Sequence, residues 1–385
     1  METKTPVSPL NKAFLHNSNI ISPLGFATEK NFIAVCEGKI GMKDHVFNHV
    51  NYYASVIDTK LLDDTFSSQT KSNPNQFTRL EKMCILSVQD VVSHSTIDAK
   101  DKRTLFIFST TKGNIDLLEN NQSIISAERI YLHETAQVIS KYFQFVNKPI
   151  VVSNACISGL LAIIIAKRLI EDDQYDNIIV TGADIVSSFT LSGFNSLSAL
   201  SSKVCKPFDK NRTGINLGEA AASILISNQE KNNCVEVVSG CSANDANHIS
   251  GPSRTGEGLY KCLQKVLPNN FIPDFINAHG TATEFNDEME SIAFSRVGLQ
   301  NVFANSLKGY YGHTLGAAGI LESIFCAESL RQNKIISSAG FEEQGTSIKL
   351  NIITKTENKK STTCLKTASG FGGCNAAVLY KLNNE

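Results

Sequence analysis

The sequence predicts a duplicated α/β fold with its site where the two halves meet. Three observations predict it. At 385 residues the chain is long for one core, which suggests two domains or a fused duplication. Ile150 to Val152 read as a buried strand and Leu160 to Leu169 as an apolar helix, with the polar turn "SNACISG" between them. That unit is echoed later by a strand, "NSLKGYYGHTLGAAG" and a second apolar helix.

Taken in order, residues 1–12 read as a disordered lead-in. "AFLHNSNIISPLG" is a strand with a turn at Pro23–Gly25, and "TEKNFIAVCEG" opens a helix with Thr28 as its cap. The polar stretch 58–78 reads as a surface excursion. "RLEKMCILSVQDVVSHS" has apolar residues at helical spacing, "RTLFIFST" is a buried strand, and "SAERIYLHETAQVISKYF" is an amphipathic helix. After the Cys156 unit come the strand "NIIVTGAD" and two strands around the polar turn Asn228–Asn233. That turn divides the chain into halves 1–229 and 230–385. The second half runs through the strand "DFINAHG", the helix "EMESIAFSRV", the strand "NVFANS" and the helix "GAAGILESIFCAESLRQ". It closes on a hairpin with a glycine-rich turn, "TTCLKTASGFGGCNAAVLYKL".

Composition excludes several function classes. The content is 42% hydrophobic and 19% charged, as in soluble globular proteins, and the formal net charge of -1 gives no electrostatic reason to expect nucleic acid or a membrane surface. The opening "METKTPVSPLNKAF" lacks the apolar region of a signal peptide, and the run "LLAIII" is too short to span a bilayer. Ten cysteines form no C-x-x-C pair, which argues against a zinc site and a disulfide framework. Reduced thiols in a cytoplasm are the expectation.

Cys156 falls in a strand-to-helix turn, where free amides and the helix dipole lower a thiol's pKa. A small buried core residue would also fit there. His279 ends an apolar strand and His313 precedes an apolar helix, beside Gly280 and Gly312. Lys308, near a helix start, needs a carboxylate partner if buried, and Glu322 is a candidate. "GFGG" at Gly370 to Gly373 is too short for a phosphate loop and reads as a tight turn around Phe371.

Together "NACISG", "NAHGTAT", "NSLKGYYGHTLGAAGILES" and "GFGGCNA", with "KPFDKNRTGINLGEAAA" and "ISPLG", resemble the elongating β-ketoacyl-ACP synthases (KAS I/II type) over nearly all of residues 13–382. The resemblance implies a thiolase-like fold: two pseudo-symmetric α/β halves in a five-layered α-β-α-β-α arrangement, forming a dimer. It implies condensation of an acyl chain with malonyl-ACP, with loss of carbon dioxide. Cys156 matches the acyl-accepting nucleophile. The amides of Cys156 and Phe371, with Gly370 and Gly372 in the turn, match the oxyanion hole, and Phe371 matches the acyl gate. His279 and His313 match the donors to the malonyl enolate, and Lys308 matches the family's lysine, held by Glu322. Thr281 and Thr283 match pantetheine-binding positions, and Asp245, His248 and Asp287 match loop positions that order the site. Phe194 and Ile157 match the acyl pocket. No metal or redox cofactor is implied. The implied partners are an acyl carrier protein and a second ketosynthase-like subunit, as homodimer or heterodimer.

The segment "QSIISAERIYLHETAQVISKYF" departs from the family pattern where it commonly lines the dimer interface and distal acyl pocket. Its Ile130, Leu132, Val138 and Ile139 give an apolar stripe, and Arg129, Glu134 and Lys141 supply charges to select a partner. Trimming here and at "SNQEKNNC" fits a specialised pathway (polyketide, aryl-polyene or pigment type). The alternatives are a non-catalytic chain-length-factor-like subunit, which usually lacks the cysteine, a coenzyme A thiolase, and a Cys/His hydrolase. Two histidines with Lys308 suit enolate stabilisation better than water activation.

Overall fold

The computed structural model describes residues 11–119 and 125–383; the lead-in expected at residues 1–12 lies, up to residue 10, outside them. Up to Ser227 the strands are β1 (Phe14–Ile21), the hairpin β2 (Lys43–Phe47) and β3 (Val50–Ala54), β4 (Thr104–Ser109), β5 (Ile150–Val152), β6 (Asn177–Asp184) and β7 (Ala220–Ser227). The helices among them are α1 (Thr28–Cys36), α2 (Thr59–Thr70), α3 (Arg79–Ser93), α4 (Leu132–Tyr142), α5 (Ser158–Glu171) and α6 (Ser188–Ser196). From Val235 on, β8 (Val235–Asn244), β9 (Phe275–Asn277) and β10 (Phe303–Asn305) are followed by three two-residue strands, β11 (Lys334–Ile335), β12 (Asn351–Ile352) and β13 (Glu357–Asn358). The long closing strands are β14 (Thr363–Gly370) and β15 (Cys374–Leu382), and the helices are α7 (Glu257–Val266), α8 (Glu284–Arg296), α9 (Lys308–Tyr311) and α10 (Ala318–Arg331).

One mixed sheet carries the order β5-β4-β6-β7-β1-β8-β15-β14-β9-β10-β12. From β1 outward the pairings β1/β7 and β7/β6 are antiparallel, and β6/β4 and β4/β5 parallel. From β8 outward the series repeats: β8/β15 and β15/β14 antiparallel, β14/β9 and β9/β10 parallel. That repetition is the pseudo-twofold of a thiolase-like fold. Among the described strands the two series pair where Phe14 and Leu15 meet Glu236 and Val235.

Strand alternation sorts the layers. Ile178, Val180, Ala222 and Ile224 face a central core shared with α5 and α10, whereas Ile179, Ala183, Ala221 and Leu225 face α2, α3 and α4. Val378 and Tyr380 likewise reach the central core, while Ala377 and Leu379 pack under α7 and α8. Helices therefore cover both outer faces and fill the middle, giving the expected five layers. The strands beside the central helices are apolar throughout because both faces are covered.

The first turns of α5 and α10 pack backbone to backbone. A Cβ on Gly159 would stand 2.8 Å from the Gly316 carbonyl and 2.9 Å from the Ile320 amide. Gly159→Ala is therefore expected to destabilise the protein by about 1–3 kcal/mol through overpacking, measured by denaturant unfolding. An unchanged transition would refute this contact.

Several sequence readings need correction. Thr28 is not the cap: Ala27 holds that position without a side-chain bond, and the Thr28 hydroxyl donates to the Ser18 carbonyl. Residues 58–78 contain α2, capped by Asp58 and anchored by buried Leu62 and Phe66. Local polarity hid a helix whose apolar residues recur only once per turn. The two strands expected around Asn228–Asn233 are present as β7 and β8, with β1 inserted between them in the sheet. In the segment after residue 125, α4 starts only at Leu132. Ile139 is buried in the chain's own core, and Arg129 is ion-paired to buried Glu81, so neither is free for a partner. Among the described residues no helix is long and apolar enough to cross a membrane.

Candidate active site

Cys156 lies between β5 and α5. Ala155 before it takes a left-handed φ of 43°, which turns the chain sharply. The Ser158 hydroxyl locks that turn by accepting from the Asn154 amide at 2.8 Å and donating to the Ala155 carbonyl at 2.6 Å. Ile157 is the N-cap, so Cys156 stands outside the first helical turn. Burial pushes its thiol up to about 12, with the neighbouring Cys374 adding to the rise. The thiol is thus raised, where its place at a strand-to-helix turn predicted a lowered pKa: loss of water on burial penalises the thiolate, and the nearby Lys308 and Lys112 charges offset only part of it.

His313 occupies the pseudo-equivalent place, after β10 and before α10. Its amide donates to the Asn216 carbonyl at 2.7 Å, and its carbonyl accepts from Gly218 at 3.0 Å. The "NRTGINLGEA" segment thus holds this histidine from the other half. His279 follows β9; its amide and that of Gly280 donate to Glu290 at 2.9 and 2.6 Å. The sulfur of Cys156 and one ring nitrogen of each histidine lie within 4.8 Å of one another. The two rings stand edge to face, with centroids 5.1 Å apart.

Nδ1 of His279 and both ring nitrogens of His313 are buried without a hydrogen-bond partner. No protein group takes these nitrogens, which leaves them available to hydrogen-bond a bound group. Burial first, and the Lys308 charge second, hold both imidazoles well below the usual histidine range. They are neutral at pH 7. Sulfur and nitrogen donors of this kind suit a metal ion as well as acyl chemistry.

Lys308 is buried at the start of α9, where it donates to the His279 carbonyl at 2.5 Å and to Glu322 at 2.8 Å. The predicted Lys308–Glu322 pair is present. Burial would raise the Glu322 carboxyl, but Lys308 and Lys366 hold it below the usual carboxylate range. Asp287 accepts from the amides of Phe208, Thr281 and Ala282, and burial lifts its pKa to about 6. Thr281 and Thr283 share a hydroxyl–hydroxyl bond of 2.8 Å in the turn between β9 and α8.

The β14–β15 turn reaches across from the second half. A Cβ on Gly370 would come 2.9 Å from the Cys156 amide, so this approach demands glycine. Gly372 and Gly373 take left-handed φ values of 82° and 74°, and the Gly372 amide donates to Ile249. Phe371 is 39% exposed and stacks on Phe194 at 5.5 Å. Phe194 is half-buried in that stack, whereas Ile157 is fully buried beside Cys156. Asp245 accepts from Ser253 and its amide donates to the Gly373 carbonyl; exposed His248 accepts from Ser250 and Gly251. Both brace the loop behind the glycine turn.

Among the buried charges that went unread in the sequence, three hold the segments that carry the histidines. Glu290 holds the His279 amide, Lys366 on β14 reaches Glu322, and Asp184 accepts from Thr110, Thr111, Lys112 and Gly316, tying the loop after His313 to β4. The available signal was a charged residue inside or closing an apolar strand, as in "NIIVTGAD" and "CLKTASG".

The fold is shared with solved ketosynthases. A chain of the ketosynthase–chain length factor complex of Xenorhabdus doucetiae superposes with a TM-score of 0.85 at 22% identity, over 97% of this chain and 98% of that one. The family models for the β-ketoacyl synthase N-terminal and C-terminal domains match residues 41–232 and 235–342. The chain belongs to the β-ketoacyl synthase family. Among curated relatives it is 31% identical to a 3-oxoacyl-[acyl-carrier-protein] synthase 2 of Rhizobium meliloti over 60% of each chain. It is 28% identical to a putative mitochondrial 3-oxoacyl-[acyl-carrier-protein] synthase of Schizosaccharomyces pombe, over 74% of this chain and 76% of that one.

Proposed function

We propose that the protein condenses an acyl group, carried as a thioester on Cys156, with malonyl-ACP to give a β-ketoacyl-ACP. The observation that carries this reading is the cluster of Cys156 with two buried, neutral and unpartnered imidazoles. In the first half-reaction the Cys156 thiol passes its proton to a neighbouring imidazole as sulfur attacks the acyl thioester. The amides of Cys156 and Phe371 take the oxyanion, and the carrier's thiolate leaves with the proton. In the second, malonyl-ACP loses carbon dioxide while His279 and His313 donate to the enolate oxygen. The resulting carbanion attacks the Cys156 thioester and frees the cysteine. Lys308, fully engaged by Glu322 and the His279 carbonyl, fixes His279 and supplies positive field without touching substrate. Thr281 and Thr283 face the pantetheine arm. The scheme uses no metal or redox cofactor.

Incubating the protein with acyl-ACPs and malonyl-ACP, with mass analysis of products, tests the reading. An acyl adduct on Cys156 and a two-carbon extension support it. A protein that takes no adduct sinks it and favours the chain-length-factor-like role.

We further propose a dimer built on β5, which ends the sheet with an open edge. Exposed Leu118 and Phe189 lie close together, since Glu119 accepts from the Phe189 amide; with Tyr131 and Leu197 they are apolar groups for a partner to cover. The partner is a second copy or another ketosynthase-like subunit, as in the Xenorhabdus pair. Light scattering of the protein expressed alone is expected to give twice the chain mass, or an inactive product rescued by a co-expressed partner. A stable, active monomer would refute the dimer.

A further inference from the structure

We propose that Lys366 is a positioning residue for His279, closing with Lys308 and Glu322 a charged clamp on the segment Asn277–His279. The proposal rests on the condensation reading above. Alternation along β14 sends Cys364 and Ala368 into the central core and Leu365 into the outer one, so Lys366 points inward toward α10. The side chain is fully buried. Its ammonium lies 2.7 Å from one Glu322 oxygen, and Lys308 lies 2.8 Å from the other.

Each ammonium also holds main chain. Lys366 donates to the carbonyls of Asn277 at 3.3 Å, Ala278 at 3.4 Å and Thr367 at 2.6 Å, and Lys308 to that of His279. From the other side Glu290 accepts from the amides of His279 and Gly280, and from the Thr367 hydroxyl beside Lys366. The strand end that carries His279 is therefore gripped on consecutive carbonyls by two cations and on consecutive amides by an anion. A buried lysine without a partner is costly, and one that shares another lysine's carboxylate needs a reason. Holding His279 in register with His313 and Cys156 is that reason.

The charge has a second consequence. Around Lys366 stand Glu322 on α10, Lys308 on α9, Glu290 on α8 through Thr367, His279 after β9, His313, and Cys364 on its own strand, itself hydrogen-bonded to Cys326 on α10. Two ammoniums stand against two carboxylates, Glu322 and Glu290. Neutralising Lys366 leaves two carboxylates against one ammonium, which favours protonation of His279 and opposes build-up of the enolate.

The test compares wild type with Lys366→Met, following Cys156 acylation and malonyl-ACP decarboxylation separately from pH 5 to 8. Decarboxylation is expected to fall about tenfold or more at pH 7, as for loss of one preorganised electrostatic group. Its acid limb is expected to move up by about one pH unit, while acylation changes less than about threefold. Should Lys366→Met fail to fold, Lys366→Gln keeps an amide donor for the carbonyls and removes only the charge. An unchanged rate and pH profile would overturn the proposal. So would equal loss of both half-reactions with an unmoved acid limb, which marks a merely structural lysine. If wild type itself neither takes an acyl group nor decarboxylates, the condensation reading fails first and takes this proposal with it.

Discussion

Cys156→Ala protein is expected to take up no acyl group and to lose condensation on the order of a million-fold, the scale seen when an acyl-transfer enzyme loses its nucleophile. The fold should survive, because the side chain is small and the turn is held by Ser158, Asn154 and Ala155 rather than by the thiol. Decarboxylation of malonyl-ACP should persist, since His279 and His313 remain in place. Mass analysis after incubation with acyl thioester and carbon dioxide release from malonyl-ACP check the two halves. Normal acyl loading of the alanine variant would remove Cys156 from the mechanism. The buried thiol, pushed up to about 12, also implies that the free protein carries little thiolate at pH 7. Alkylation by iodoacetamide should therefore quicken about tenfold per pH unit from 7 to 9. A plateau near pH 7 would show a thiolate already formed.

His279→Ala and His313→Ala are each expected to slow decarboxylation by about 100-fold to 1,000-fold, because each removes one fixed donor to the enolate oxygen. Acylation should suffer by only about tenfold, since the remaining imidazole can still take the Cys156 proton. Removing both histidines should stop both steps. Both imidazoles sit well below the usual histidine range, so the wild-type rate should stay level from about pH 6.5 upward and fall only as acid protonates them. Equal loss of acylation and decarboxylation in either single variant would contradict the division of labour.

The sequence by itself determined the duplicated α/β plan, the turn that carries Cys156 and the loops that carry His279 and His313. Each is local: a strand, a polar break and a helix leave their periods and glycines in consecutive residues. Lys308 and Glu322 could be paired because both lie in one recognisable segment. Tertiary structure alone decided the rest. Lys366 and Asp184 act through partners dozens to more than a hundred residues away, Glu290 reaches back across a turn to amides before its own helix, and no local period marks which buried carbonyls or amides a charge will meet. The segment after residue 125 shows the same limit, since Ile139 and Arg129 read as a partner-facing stripe yet fold into the chain's own core and onto Glu81. The Cys156 thiol is the sharpest case: its turn predicts a lowered pKa, but the second half closes over it with Gly370 and Cys374, and the resulting loss of water pushes the thiol up despite the nearby lysine charges.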